Sequence, residues 1–160
     1  MFKTFGAEIG VHERRMRLAL EEAKIAFEKG EVPVGAVVVW KNQIIGRGHN
    51  EIETLQDPTA HAEILAITAA ANTLSSWRLE GASLYVTLEP CPMCAGAIIH
   101  SRIGKLFFGP ADPKWGACGS LYNIVQDERL NHKVEVISGV LEKESSDLLK
   151  EFFKFLRRKN

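Results

Sequence analysis

Cysteine is scarce in this 160-residue chain, which has only three, and the odd number argues against a framework of paired disulfides. No stretch reaches the roughly 18 uninterrupted apolar residues of a membrane-spanning helix. The first residues, Met1–Gly6, also lack the apolar core of a signal peptide. The sequence therefore predicts a cytoplasmic protein, where reduced cysteines more often serve as metal ligands or catalytic groups than as bridges.

Net charge, repeats and low-complexity segments are also lacking. The 20 Lys and Arg balance 20 Asp and Glu, so no overall basic excess indicates a nucleic-acid partner. With 46% hydrophobic and 25% charged residues, the composition excludes a largely disordered or fibrous chain, and we expect one domain over residues 1–160. The charge is nevertheless uneven, because residues 150–160 hold five basic side chains and one acid, a net +4 that leaves −4 for residues 1–149.

Apolar periodicity predicts strands that alternate with helices. Helices are expected at about 12–30, from 57 to 74, from 90 to about 99 and, with a basic outer face, at about 144–158. Short apolar runs rich in β-branched residues predict strands at 34–40, 43–48, 83–88, 105–108 and 134–137. This order is typical of an α/β fold with a mixed sheet.

Two of the cysteines form a Cys-x-x-Cys motif, Cys91 and Cys94, just after Pro90 at the start of a predicted helix. The spacing brings both sulfurs to one side of the turn, and the positive end of the helix favours thiolates. Such a pair suits Zn²⁺. By itself the motif is ambiguous, since a redox pair, half of a zinc ribbon and two ordinary buried thiols share it.

A second motif, His61-Ala62-Glu63, changes this interpretation. One imidazole and two thiolates make three ligands, the number in a catalytic zinc site whose fourth position holds water. A structural site stays open by counting, because four other side chains could supply a fourth ligand: Cys118, His49, His100 and His132. Glu63 lies two residues from His61, where its carboxylate could face a zinc-bound hydroxide and move its proton, which favours hydrolysis at an electrophilic carbon.

His-x-Glu followed by Pro-Cys-x-x-Cys resembles the signature of the zinc-dependent cytidine/deoxycytidylate deaminase superfamily, and the chain is most similar to its bacterial tRNA-specific adenosine deaminases. The similar segments run in order from residue 31 to residue 132. They are residues 31–36, 48–50, 57–63, 84–91, 93–97, 100–104, 108–109, 119–121 and 131–132.

The resemblance implies a three-layer α/β/α, cytidine-deaminase-like fold with a five-stranded mixed sheet. It implies a homodimer that binds the tRNA anticodon arm and converts the wobble adenosine of an arginine tRNA with anticodon ACG to inosine. A single-stranded anticodon loop suits this chemistry, because a stacked base cannot reach an active site. Within this resemblance, the basic C-terminal helix becomes a candidate surface for phosphate contact.

The resemblance also assigns residues. One zinc ion per subunit would be held by His61, Cys91 and Cys94, with Glu63 as the proton shuttle. Substrate contacts fall on the flipped base and on the sugar and backbone of its nucleotide. Asn50 would hydrogen-bond the base with Val34 packed on it and Pro33 nearby, while Asp112 would contact the sugar region. From its position between a strand and the ligand helix, Glu89 is expected to support the site or the fold and not to act as a second catalytic acid.

The loop at residues 111–118 departs from the family pattern at Trp115 and Cys118. Trp115 could stack on a neighbouring nucleotide or cover a subunit interface, and both readings stay open. Cys118 is expected to be a bystander, because a fourth thiolate would close the open metal position. Two other functions compete: a free-base guanine or cytosine deaminase, and a non-catalytic tRNA-binding or structural zinc protein. Glu63 argues against the second.

Overall fold

Five strands form one mixed sheet in the computed structural model, which describes residues 2–160, with side chains from residue 10 onward. The strands are β1 (Gly35–Trp40), β2 (Gln43–His49), β3 (Ser83–Val86), β4 (Lys105–Phe108) and β5 (Glu135–Ile137). Their order is β2-β1-β3-β4-β5. β1 runs antiparallel to β2 and β3, whereas β3, β4 and β5 are parallel. The predicted five-stranded mixed sheet is thereby confirmed.

Helices cover both faces of this sheet. They are α1 (Phe2–Glu28), α2 (Ile52–Leu55), α3 (Ala62–Leu74), α4 (Pro92–His100) and α5 (Glu142–Lys159). α1 begins about ten residues before the expected start, and the sequence pattern did not predict α2. None of these described helices combines the length and apolarity needed to span a membrane.

Successive side chains of β1 point to opposite faces of the sheet and belong to two separate hydrophobic cores. Ala36 and Val38 point into a large cluster with residues of α3 and α4. Val37 and Val39 point to the other face, where they pack with Met16 of α1 and the rings of β3 and β4. A strand whose successive side chains are all buried in this way is typical of a sheet covered on both faces. The arrangement is the predicted three-layer α/β/α fold.

Small residues let α3 lie directly on β2. A Cβ atom on Gly48 would lie 2.5 Å from the carbonyl oxygen of Ala62, closer than any real contact. The beginning of α3 is therefore held against the end of β2. Because β3 and β4 are parallel, their carboxyl ends lie at this same edge of the sheet, where α/β proteins commonly bind ligands.

Candidate active site

Two helix N-termini bring the predicted metal ligands together. His61 is the N-cap residue of α3, and Cys91 is the N-cap residue of α4, with Pro92 in its first helical position. Cys94 follows in the first turn of α4. The Nδ1 atom of His61 lies 3.6 Å from the sulfur of Cys91 and 3.6 Å from that of Cys94. The sequence-predicted triad thus forms one cluster, with its ligand atoms all within 4.8 Å.

These distances fit a tetrahedral zinc ion. Zn–S bonds of about 2.3 Å and a Zn–N bond of about 2.0–2.1 Å at tetrahedral angles would place nitrogen and sulfur about 3.5–3.6 Å apart. Among the side chains of residues 10–160, this is the one group of three or more such ligands. The four other candidates, Cys118, His49, His100 and His132, lie outside it. Three protein ligands are the number that a catalytic zinc site uses.

The protonation of the two thiols also suits a cation. The hydrogen bond from Cys94, opposed by burial and helped by His61, lowers the pKa of Cys91 to about 4. The same bond and then burial raise the pKa of Cys94 far above its ordinary value. The bond to Cys91 raises the pKa of His61. The pair therefore supports one thiolate by itself, and a divalent cation between the sulfurs would favour two.

Glu63 lies in the first turn of α3, and only 4% of its surface is exposed. Burial raises the pKa of its carboxyl group, although charge on His61 and a hydrogen bond with Cys94 act in the opposite direction. A carboxyl group whose pKa is raised above its ordinary value holds a proton more readily, which suits a group that accepts and releases protons. Its contact with Cys94 places this group beside the three ligands.

The triad and Glu63 lie at a cavity of about 840 Å³. Six of the sequence-predicted site residues line it: Val34, Asn50, His61, Glu63, Cys91 and Asp112. Cys94 is buried behind the wall, and Pro33 is buried beside Val34 without lining the cavity. Most of the lining is apolar, with a few convergent polar groups, as in sites for small organic ligands.

Asn50 has a structural role as well as a place in the wall. Its Nδ2 atom donates a hydrogen bond to the carbonyl of Val32 at 3.1 Å, and its Oδ1 atom accepts one from the backbone N–H of Ala62 at 3.0 Å. The side chain thus ties the segment before β1 to the start of α3. One N–H and one lone pair of the amide remain for a ligand.

Glu89 organises the loop on the opposite side. Its buried carboxylate accepts hydrogen bonds from the backbone N–H groups of Asp112, Cys118 and Ser120, each at 3.0 Å, and from the Ser120 hydroxyl. Burial alone would raise the pKa of Glu89, but these hydrogen bonds outweigh it and lower the pKa. An ionised carboxylate that is fully used by one loop agrees with the predicted structural role.

Helix α5 supplies part of the cavity wall through Ser146, Leu149, Lys150 and Phe153. The sequence predicted this helix from its apolar periodicity and basic outer face, but it did not place these side chains at the site. Their spacing of three and four residues is the signal that would have found them, since such residues share one face of a helix. The C-terminal helix therefore forms part of the wall of the cavity that holds the triad.

The fold and this site define a hydrolytic deaminase of the cytidine-deaminase-like fold. Residues 11–157 match the model of the MafB19-like deaminase family. A guanine deaminase from Nitrosomonas europaea superposes with a TM-score of 0.76 at 25% identity, over 88% of this chain and 83% of that one. Similar folds of this class thus occur in proteins named for different substrates.

Two further relatives are more similar in sequence. The tRNA-specific adenosine deaminase of Bacillus subtilis is 57% identical over 147 residues, which cover 92% of this chain and 91% of that protein. A solved structure from work on A-to-I editing by tRNA:A34 deaminases has a TM-score of 0.82 at 47% identity, over 84% of this chain and 98% of that one. The chain belongs to the family of tRNA-specific adenosine deaminases, as the sequence motifs predicted.

Proposed function

We propose that this chain hydrolyses the 6-amino group of the wobble adenosine in a tRNA anticodon, giving inosine and ammonia. The observation that carries the proposal is the juxtaposition of the His61-Cys91-Cys94 triad with buried Glu63 at one ligand-sized cavity. A non-catalytic zinc-binding module would not need a buried, proton-active carboxyl group at its metal site. Family membership supports the same conclusion.

His61, Cys91 and Cys94 would hold one zinc ion per chain. When bound, zinc would lower the pKa of a water ligand and so supply a nucleophile at neutral pH. Glu63 would accept a proton from the attacking water and deliver it to N1 of the adenine. It would then carry the proton of the new C6 hydroxyl to the amino group, so that the C6–N bond breaks and ammonia leaves as the C6=O double bond forms.

The walls of the cavity would bind the flipped base. Val34 offers an apolar surface for its ring, with Pro33 behind, and the free N–H and lone pair of Asn50 would bond its polar edge. Asp112 lines the same cavity and would contact the ribose region. Exclusion of water from the cavity by the bound base would strengthen the polar contacts inside it.

We propose the arginine tRNA with anticodon ACG as the substrate, bound by a homodimer of single-domain chains in the cytoplasm. The single-stranded anticodon loop reduces the cost of unstacking the target base. Lys114 and Lys150 line the cavity on the side of α5 and would contact phosphates.

The test is incubation of zinc-loaded protein with an ACG anticodon stem-loop, and separately with guanine, cytosine and cytidine. Nuclease digestion and mass spectrometry would detect inosine and locate it. Inosine at the wobble position alone supports the proposal. Turnover of a free base, with none on the stem-loop, would still show a deaminase but would contradict tRNA as its substrate.

Two glutamine variants separate the role of Glu63 from a general effect of charge. Glu63→Gln should retain zinc, measured by elemental analysis, and lose at least about a hundredfold in turnover, the usual scale of general acid–base catalysis. Glu135→Gln removes a carboxylate that is exposed on β5 and serves as the matched control. Equal turnover by both variants would contradict the assigned role of Glu63.

A further inference from the structure

Trp115 stands at the rim of the catalytic cavity with 66% of its surface exposed. We propose that its indole stacks on the nucleobase next to the target adenosine, so that Trp115 favours a polynucleotide substrate over a free base or nucleoside. This inference rests on the proposed function, because the neighbouring base exists only in a polynucleotide substrate. Base–aromatic stacking is sequence-tolerant and is a common source of affinity for single-stranded nucleic acid.

The backbone that carries Trp115 is fixed before any ligand arrives. Its N–H group donates to Oδ1 of Asp112 at 3.3 Å, and the next N–H group, that of Gly116, donates to the Asp112 carbonyl at 2.9 Å. Glu89 holds Asp112 and Cys118 on either side. A Cβ atom on Gly116 would lie 2.4 Å from the Glu89 carboxylate, so the loop is packed tightly on that group. Stacking on a pre-ordered residue costs little ordering entropy.

The face of the Trp115 ring is available to a ligand. The chain has two other tryptophans, and each has a cation over its ring: Lys41 lies 4.3 Å from the Trp40 ring centroid, and Arg78 lies 4.9 Å from that of Trp77. Among the side chains of residues 10–160, no cation–π or ring contact involves Trp115. Its 66% exposure and its place in the cavity wall leave the ring accessible to a nucleobase.

The surroundings of Trp115 fit a nucleotide more than a protein partner. Lys114, Lys150 and Phe153 line the same cavity, which combines cations for phosphate with aromatic surface for bases. The two acids that contact this loop are already engaged: Glu89, which lies between β3 and α4, by four hydrogen bonds, and Asp112, within the loop, by two backbone N–H groups. A volume of about 840 Å³ is also at the large end for a single small ligand, which leaves room for a neighbouring base.

The test compares Trp115→Ala with wild type on three stem-loops: the intact anticodon loop, one with an abasic site 5′ of the target and one with an abasic site 3′ of it. Trp77→Ala is the matched control, since Trp77 is 61% exposed and does not line the cavity. We expect Trp115→Ala to raise KM for the intact loop about tenfold or more, with kcat within about twofold, and Trp115→Phe to restore most of the affinity.

One abasic loop should impose the same loss on wild type and no further loss on Trp115→Ala, which identifies the stacked base. The proposal would be overturned if, for both abasic loops, the loss of affinity from the abasic site multiplied with the loss from Trp115→Ala. An unchanged KM for Trp115→Ala on the intact loop would also overturn it. Dissociation of a wild-type dimer on Trp115→Ala substitution, measured by light scattering, would also overturn it and assign the residue to a subunit interface.

The failure of stacking and the failure of the proposed function give different results. If wild type forms no inosine on any RNA, the function is wrong, and stacking is then measured through fluorescence. A Trp40→Phe/Trp77→Phe variant leaves Trp115 as its one tryptophan. Binding of the intact loop should quench its fluorescence more than binding of the loop that lacks the stacked base. Equal quenching by all loops would refute stacking whatever the catalytic result.

Discussion

Replacing Gly48 with alanine should disturb the active site from a position that contacts no substrate. The added Cβ atom would lie 2.5 Å from the Ala62 carbonyl oxygen, 2.7 Å from the Ala66 backbone nitrogen and 3.0 Å from the Leu65 Cβ atom. The first two are backbone atoms of α3, which cannot rotate away. The start of α3 must therefore move off β2, and that segment carries His61 and Glu63.

The magnitude follows from the cost of overpacking. Forcing one extra carbon into a close-packed contact costs about 1–3 kcal/mol, and for a chain of this size each kcal/mol lowers the melting temperature by roughly 2–4 °C. Because a misplacement of about 1 Å can cost a hundredfold in rate, turnover should fall more than stability alone explains. Zinc content at limiting metal should fall as well.

Chemical denaturation, zinc titration and single-turnover deamination of Gly48→Ala measure these effects. Gly10→Ala is the matched control, because its Cβ atom would meet only the end of the Arg14 side chain, at 3.6 Å, within α1. Glycine to alanine inside a helix stabilises by about 0.5–1 kcal/mol, so the two variants should change stability in opposite directions. Wild-type stability and turnover in Gly48→Ala would refute the close contact of α3 with β2.

Three further predictions concern buried polar groups. The carboxylate of Glu31 is buried, and hydrogen bonds from Thr54 and Glu53 outweigh burial and lower its pKa below the ordinary 4.5. The ionised Glu31 carboxylate therefore stabilises the fold above pH 4.5, and this contribution is lost as the pH falls through the lower pKa of the folded state. Below pH 4.5, the free energy of unfolding in urea should depend less on pH for Glu31→Gln than for wild type. Cys118→Ser should retain one zinc ion per chain by elemental analysis, whereas Cys94→Ser should lose it. Glu89→Gln should lower thermal stability and speed proteolysis within residues 111–120, because a neutral amide accepts the loop's hydrogen bonds less well. The contradicting results would be an unchanged pH dependence for Glu31→Gln, loss of zinc from Cys118→Ser or its retention by Cys94→Ser, and unchanged stability and proteolysis for Glu89→Gln.

The sequence was most informative where the signal is local. Val37, a β-branched residue in a short apolar run, marks a buried strand, and the ligands of His-x-Glu and Cys-x-x-Cys each fall at the start of a helix. These patterns predicted the fold and the metal triad, and the structure brings His61, Cys91 and Cys94 together as expected. Local spacing decides which side chains share a face of a helix or strand, and the three-ligand chemistry of a catalytic zinc site links His61 to the two cysteines.

Apart from the metal triad, contacts across long sequence distances were not predicted. Asn50 joins Val32 to Ala62, Glu31 binds the short helix α2, and α5 closes one side of a cavity whose other walls come from residues 32 to 115. Each depends on how separate elements pack, which a single sequence does not encode in its spacing. The same limit left Trp115 with two readings, and its place at the cavity rim favours the nucleotide.

The central claim is that Glu63 moves protons during hydrolysis at the triad, and one measurement tests it directly. Zinc-loaded wild type and Glu63→Gln would each react with the ACG stem-loop in heavy-oxygen water under single-turnover conditions, with the inosine analysed by mass spectrometry. We expect wild-type inosine to carry the heavy oxygen at C6, and Glu63→Gln, with zinc still bound, to be slower by at least about a hundredfold. Inosine without the heavy oxygen, or equal rates for the two proteins, would contradict it.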